Sequence, residues 1–385
     1  MNILVIGNGF DLAHTLPTKY SHFLKFIEII RDYGDYIALE KAIPKRDLFQ
    51  ENCFAFAQKI NDPSNRDDRL YREISECSDK NNLLLNYYLK EYKKRCKSGQ
   101  EGWIDFESEI ARIIHIFDEA RQNSKRLLNQ GMRCLLSEKT IKEIAPFIVA
   151  ETNGVIPMDA LVGKSISPGF IERHAAKLYM DLEKITRLLE IYLDIIVQSQ
   201  PIEKRIQAIS SLVIDKVLSF NYTNTFQRLY DPEGKAEYCY IHGKVTEFQY
   251  NNSCNLVLGI DEFLDNERQN QDNAFVWFKK FYQRIFKETS STYIDWLDQH
   301  EHNNPASPID IYFYGHSLAE TDKDILQRLI LHKNAKSHIF YYKKEEMGKQ
   351  ITNLIKVIGK EPLIQMTRGK NRSITFEAVP ETANA

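Results

Sequence analysis

The chain opens MNILVIGNGFD, an unbroken apolar run at residues 3–6 that ends on Gly7-Asn8-Gly9. Such a run has no polar face to offer water. It suits a strand covered on both sides, as in a parallel sheet. Glycines directly after the strand let the backbone turn sharply and bring peptide N–H groups close to an anion. Leu12 stands where the third glycine of a dinucleotide fingerprint falls, so the motif is partial. Phosphate binding through Gly7, Asn8, Gly9 and Phe10 fits the spacing, and so does a plain strand-to-helix turn. Asp11 suits a ribose hydroxyl or a cap on that turn.

Strand-like runs return only after residue 210, at 216–220, 237–241, 256–258, 309–314 and 338–342. Helical stretches at 324–332 and 345–358 separate some of them. This alternation predicts an α/β fold, a parallel Rossmann-like sheet covered by helices. Tyr20, Phe23, Leu24, Ile27 and Ile30 recur at helical spacing, with Thr18 as the expected N-cap. Residues 35–210 read as mainly helical, most clearly at 83–92, 104–117 and 171–192. The expected organisation is a nucleotide-binding core, 1–34 and 211–385, with a large helical insertion or cap at 35–210.

Charge argues against one class of function, a protein whose main job is coating nucleic acid, and leaves a local basic groove open. The 385 residues carry 51 basic and 53 acidic side chains, a net charge of -2. A protein that coats nucleic acid usually has a basic excess. Six cysteines, at 53, 77, 96, 134, 239 and 254, include no C-x-x-C pair, which suits a reducing compartment and gives a zinc ribbon no support. There is no H-E-x-x-H, and no metal is expected. The apolar run at 3–6 is too short for a signal peptide, and no stretch reaches membrane-span length. The expectation is a cytoplasmic protein with no membrane partner.

Three later segments carry polar chemistry near strand ends, where open α/β sheets bind ligands. Ser219 to Asn224 places Asn221, Thr223 and Asn224 after a strand; Asn221 can orient a sugar or a water, and an Asx turn fits equally. His242-Gly243 follows another strand and offers either a general base or a structural hydrogen-bonder. Gly315-His316-Ser317 leads to Glu320 with the spacing of a capping box, predicting a helix start there; His316 and Asp322 can meet a ligand or stay structural. Trp103 to Glu107 reads as a helix start with no catalytic role. Phe275, Trp277, Phe278, Phe281 and Tyr282 read as core or interface.

The opening Gly7 to His14, with Leu16-Pro17-Thr18 and Tyr20, resembles the bacterial AbiH family of phage abortive-infection proteins. Trp103 to Glu107, Ser219 to Thr225, Ile241 to Gly243 and Gly315 to Asp322 also resemble segments of that family. The resemblance implies a phage-defence effector acting by arrest or death of the infected cell, with a phage-derived trigger or a defence partner. More distantly, Gly7-Asn8-Gly9, Asn221-Tyr222-Thr223, His242-Gly243 and Gly315-His316-Ser317 resemble, in order, the motifs of sirtuin-like NAD-consuming proteins. Asn8 replaces an alanine, Thr223 stands where that family has aspartate, and the zinc-binding cysteines are missing.

These resemblances imply NAD or a related nucleotide as ligand or substrate. His242 and Asn221 are then the expected catalytic pair. Gly7, Asn8, Gly9, Phe10, Asp11, Thr223, Asn224, Gly315, His316 and Ser317 are the expected nucleotide contacts. NAD hydrolysis, nucleotide binding without turnover, and a nucleic-acid-targeting toxin drawing on Lys93, Lys94 and Arg95 are the competing functions. A homo-oligomer is compatible with any of them.

Overall fold

The computed structural model describes residues 1–33, 47–99, 105–131, 137–148, 156, 161, 166–202, 205–245, 254–261, 268, 272–370 and 372–379. Trp103 and Ile104 lie outside them. Six strands form one all-parallel sheet: β1 (Asn2–Ile6), β2 (Lys216–Ser219), β3 (Glu237–Tyr240), β4 (Ile309–Tyr314), β5 (Ala335–Tyr341) and β6 (Ile374–Ala378), in the order β3-β2-β1-β4-β5-β6. β1 is central, with Ile3 paired to Lys216 on one side and to Ile311 on the other. This is the doubly wound Rossmann order, and its direction of growth reverses between β1 and β4.

The apolar run of β1 explains its central place. Ile3 and Val5 pack into the core on one face with Leu218, Ile311 and Leu326; Leu4 and Ile6 pack on the other with Val217, Phe10 and Tyr314. Both faces are covered, so no alternation of polar residues appears. At about 25 cal/mol per Å² of buried apolar area, each of these side chains contributes on the order of 2 kcal/mol.

Between β1 and β2 the chain makes a helical block with its own core. α1 (Asn8–Ala13) leaves the loop and packs on the sheet face; the block itself holds α2 (Tyr20–Arg31), α3 (Leu48–Asn61), α4 (Asp68–Cys77), α5 (Leu83–Lys97), α6 (Phe106–Asn129), α7 (Glu138–Ile144) and α8 (Pro168–Tyr192), and α9 (Gln207–Ser210) returns to the sheet face. Local chemistry fixes the start of the longest helix among the described residues: the Ser167 side chain accepts from the Phe170 N–H, and Pro168 sits in the first turn, where its missing N–H costs nothing. Leu182, Ile185, Leu188, Leu189 and Tyr192 form its buried stripe. It ends in a π-helical turn, Leu193–Val197. The remaining helices are α10 (Thr225–Tyr230), α11 (Lys280–Phe286), α12 (Tyr293–Asn303), α13 (Lys323–Ile330), α14 (Lys344–Ile358) and α15 (Lys360–Thr367). Among the described residues, no helix is long and apolar enough to cross a membrane.

Several local expectations need correction. Residues 256–258 are fully buried but form no strand. The Gln283 side-chain amide satisfies both the N–H and the C=O of Leu258, at 3.1 and 3.0 Å, and the Val257 N–H donates to the His242 carbonyl. A side chain thus does the work of a neighbouring strand. Thr18 does not cap α2; the cap position is Lys19. The capping box at Ser317 and Glu320 does not form. Leu318 adopts φ 56°, which interrupts helical backbone, and α13 starts at Lys323 after a single 3₁₀ turn. β6 had no counterpart among the expected strands.

Candidate functional site

The switch point is a seam between two backbones. The Gly9 N–H donates to the Gly315 carbonyl at 2.9 Å, and the Gly7 N–H donates to the Tyr314 carbonyl at 3.2 Å. A Cβ on Gly9 would lie 2.7 Å from the Gly315 Cα; one on Gly315 would lie 2.1 Å from the Phe10 nitrogen, and Gly315 has φ +66°. No other residue fits such a crossing. The glycines serve the protein's own backbone, and the amides of Gly7, Gly9 and Phe10 all donate to carbonyls within the fold.

Beside the seam, above the ends of β1, β2 and β3, lies a cleft of about 420 Å³. Gly7, Asn8, Gly9, Asp11, Asn221, Thr223, His242, Gly315, His316 and Ser317 all line it, so segments far apart in sequence meet at one rim of the sheet. Two expected contacts are placed elsewhere. The Phe10 ring is buried on the sheet face among His14, Phe226 and Tyr314. Asn224 occupies the N-cap of α10 and is absent from the cleft wall.

A charged network crosses the cleft. Lys280 Nζ lies 2.9 Å from Glu107 Oε2 and 3.0 Å from Asp322 Oδ1. His242 Nε2–H donates to Asp322 Oδ1 at 3.2 Å. The His316 Nδ1 accepts from the Leu318 N–H at 2.9 Å, so its proton sits on Nε2, 3.6 Å from Asp322 Oδ2. Phe220 packs edge-on between the two imidazoles. Burial works against ionisation of Asp322, yet Lys280 and His242 hold its carboxyl below the usual range. Burial alone would lower Lys280, but Asp322 and Glu107 hold it above its ordinary value. Burial pushes Glu107 up to about 7 against the pull of Lys280. Burial, helped by the Lys280 charge, lowers His242 to about 4; burial lowers His316 to about 4 as well. Both histidines are neutral at pH 7.

A second polar group surrounds Asp11. The Thr223 hydroxyl donates to Asp11 Oδ2 at 2.6 Å, and the Thr225 hydroxyl donates to Thr223 at 3.1 Å. Burial raises Asp11 to about 6, with the Thr223, Thr225 and Asn221 side chains opposing. Asn221 Nδ2 donates to the Gly7 carbonyl at 2.9 Å, which ties the second strand's loop to the first. Gly243, at φ +83° and with no room for a Cβ beside Asn255, turns the chain immediately after His242.

Three buried polar atoms on this cleft's wall have no hydrogen-bond partner: Asp11 Oδ1, Thr18 Oγ1 and His242 Nδ1. With Nε2–H facing Asp322, the His242 Nδ1 presents a lone pair. Buried polar atoms are normally satisfied, so the wall is complementary to a ligand bearing hydroxyl or amino donors. The residue-level reading of the sequence missed Lys280 and gave Glu107 no role. Asp105 does cap α6, accepting from the Glu107 and Ser108 N–H groups, as expected of a helix start; that same start carries Glu107 into the cleft.

The run Lys93, Lys94 and Arg95 lies on α5, away from this cleft. Lys93 pairs with Glu28 and Asp32, Lys94 with Glu91, and Arg95 with Glu109. Among the described residues no cluster of three or more His, Cys, Asp or Glu is arranged to hold a metal ion.

A doubly wound parallel sheet, with a polar cleft at the reversal of strand order, defines a Rossmann-like α/β protein. Residues 3–343 match the family described as Bacteriophage abortive infection AbiH. The chain belongs to that family, and membership implies a function in phage abortive infection. No curated protein and no solved structure matches the chain.

Proposed function

We propose that the chain is a phage-defence effector that binds NAD or a related nucleotide in the switch-point cleft and hydrolyses its nicotinamide–ribose bond. The observation that carries this reading is the trio of buried, unpartnered atoms, Asp11 Oδ1, Thr18 Oγ1 and His242 Nδ1, on residues that line this cleft. Two are acceptors and the third is a hydroxyl, a set that suits the hydroxyls of a ribose. Asp11, Asp105, Glu107 and Asp322 against Lys280 give the lining an acidic balance. That balance favours a reaction whose transition state gathers positive charge on the sugar.

In this mechanism His242 Nδ1 accepts a hydrogen bond from a ribose hydroxyl and raises electron density on the sugar. Asp322 fixes the imidazole through Nε2–H. Nicotinamide departs as a neutral molecule, taking the bonding pair. Water adds to the anomeric carbon, and its proton passes to His242 and then to solvent. Asn221 is a positioning residue that holds the Gly7 loop. The helical block at 35–210 acts as the cap over the cleft.

Pure protein incubated with NAD is expected to release nicotinamide and ADP-ribose. His242→Ala is expected to lower the rate on the order of 10²- to 10⁴-fold, the usual range for a general base. NAD that remains intact in the presence of phage-infected cell extract sinks the hydrolytic reading. A second reading, nucleotide binding without turnover, draws on the depressed His242: held near 4, its imidazole is a weak base at neutral pH. Tight NAD binding with no nicotinamide release selects it.

A further inference from the structure

A second cleft, of about 480 Å³, lies on the other side of the glycine seam, above the ends of β4 and β5 and against α14. The two clefts share Gly9, Gly315, His316 and Ser317 as a common wall. The chemistry of the second differs. It has aromatic walls, Tyr314, Phe340 and Tyr342, with Lys349 and Glu346 as its charged residues. The Tyr314 and Tyr342 hydroxyls hydrogen-bond to each other, and their rings meet edge to face at 6.0 Å.

Gln350 is 8% exposed and lines this cleft. Its Nε2 donates to the Phe340 carbonyl at 3.1 Å, which fixes which way the amide faces. Its Oε1 is buried with no partner. An aromatic cleft with one fixed, unsatisfied carbonyl acceptor suits a flat heterocycle that carries an amino group.

We infer that this second cleft is the adenylate subsite of a dinucleotide ligand. The adenine ring packs against Tyr342, and its exocyclic amine donates to Gln350 Oε1. Lys349 faces the phosphate side. The ligand crosses the Gly9–Gly315 seam, so its scissile ribose lies beside His242 in the first cleft. In open α/β sheets dinucleotides lie across the crevice at the strand-order reversal, and each cleft here has the size of an ordinary small-molecule site. This inference rests on the nucleotide-binding reading above and specifies its ligand as one ending in an amino-bearing purine.

The test compares AMP with inosine 5′-monophosphate, whose exocyclic 6-oxo group replaces the amine, by calorimetric titration of the full chain. The wild-type protein is expected to bind AMP at least roughly ten-fold more tightly, because inosine sets two acceptors against each other. Gln350→Met is expected to erase that preference while leaving binding of nicotinamide mononucleotide unchanged. Equal binding of the two purine nucleotides by the wild type overturns the inference without need of a variant. If nicotinamide mononucleotide and NAD bind but AMP shows no preference over inosine 5′-monophosphate, the adenylate subsite fails and the NAD reading stands. If no nucleotide binds, both fall.

Discussion

Replacing Lys280 with methionine tests the charged network most directly. Lys280 is the cation between Glu107 and Asp322, with its side chain 3% exposed and theirs 19% and 10%. Methionine fills similar volume but leaves two carboxylates facing each other in a buried site. Removing one partner from a buried ion pair costs about 3–5 kcal/mol, because the remaining charge is left uncompensated. The loss depends on pH. Without Lys280 both carboxyls have folded-state pKa values above their unfolded ones, so their contribution to stability is present at low pH and lost as pH rises through the folded values. Lys280 holds Asp322 below the usual range in the wild type, so a deficit is already present at pH 5; it is expected to grow toward pH 8, where Glu107 and Asp322 of the variant must both ionise without a counter-charge. Urea unfolding followed by tryptophan fluorescence at both pH values measures it. A deficit below about 1 kcal/mol, or one equal at the two pH values, refutes the network as described.

Gly315→Ala is expected to abolish soluble folded protein or lower thermal stability by many degrees, since the new methyl meets the Phe10 nitrogen at 2.1 Å; an unchanged melting temperature rules out the seam. His242 and His316 are depressed to about 4, so between pH 4 and 6.5 the unfolded chain binds more protons at these sites and they make stability rise with pH. Asp11, raised to about 6, and Glu107, raised to about 7, act in the opposite sense: their stabilisation is lost as pH rises. The native protein is therefore expected to show a shallow pH dependence between 4.5 and 6. In the His242→Gln/His316→Gln double variant, stability should fall as pH rises, with a slope changed by up to about 2 kcal/mol per pH unit. Parallel profiles for the two proteins contradict this balance.

Much of the architecture was legible because it rests on local signals. The β1 run has no polar face, and the helical stripe from Leu182 to Tyr192 has only one face to bury. The cleft residues at 7–9, 11, 221–223, 242 and 315–317 were legible because each follows a strand, and parallel strands end on one rim. Lys280 was not legible. It lies in an aromatic stretch, and only the approach of Glu107 and Asp322 gives its charge a partner. Residues 256–258 misled because burial, not a ladder, accounts for their apolar character. β6 escaped notice because it is an edge strand, largely half-buried, with a weaker apolar signature than the central strands. The glycines misled about purpose: their spacing signals a close approach, and here the approaching group is another stretch of the same backbone.

The central position of β1 also shapes how the chain comes off the ribosome. Its neighbours arrive late: Ile3 pairs with Lys216 and then with Ile311. At a synthesis rate of about 5–20 residues per second, the wait for the second neighbour lasts ~15–60 s. During that interval four contiguous aliphatic residues are tethered to a helical block that can already condense. The nascent protein thus carries an adhesive, unpaired ribbon until its downstream partners arrive.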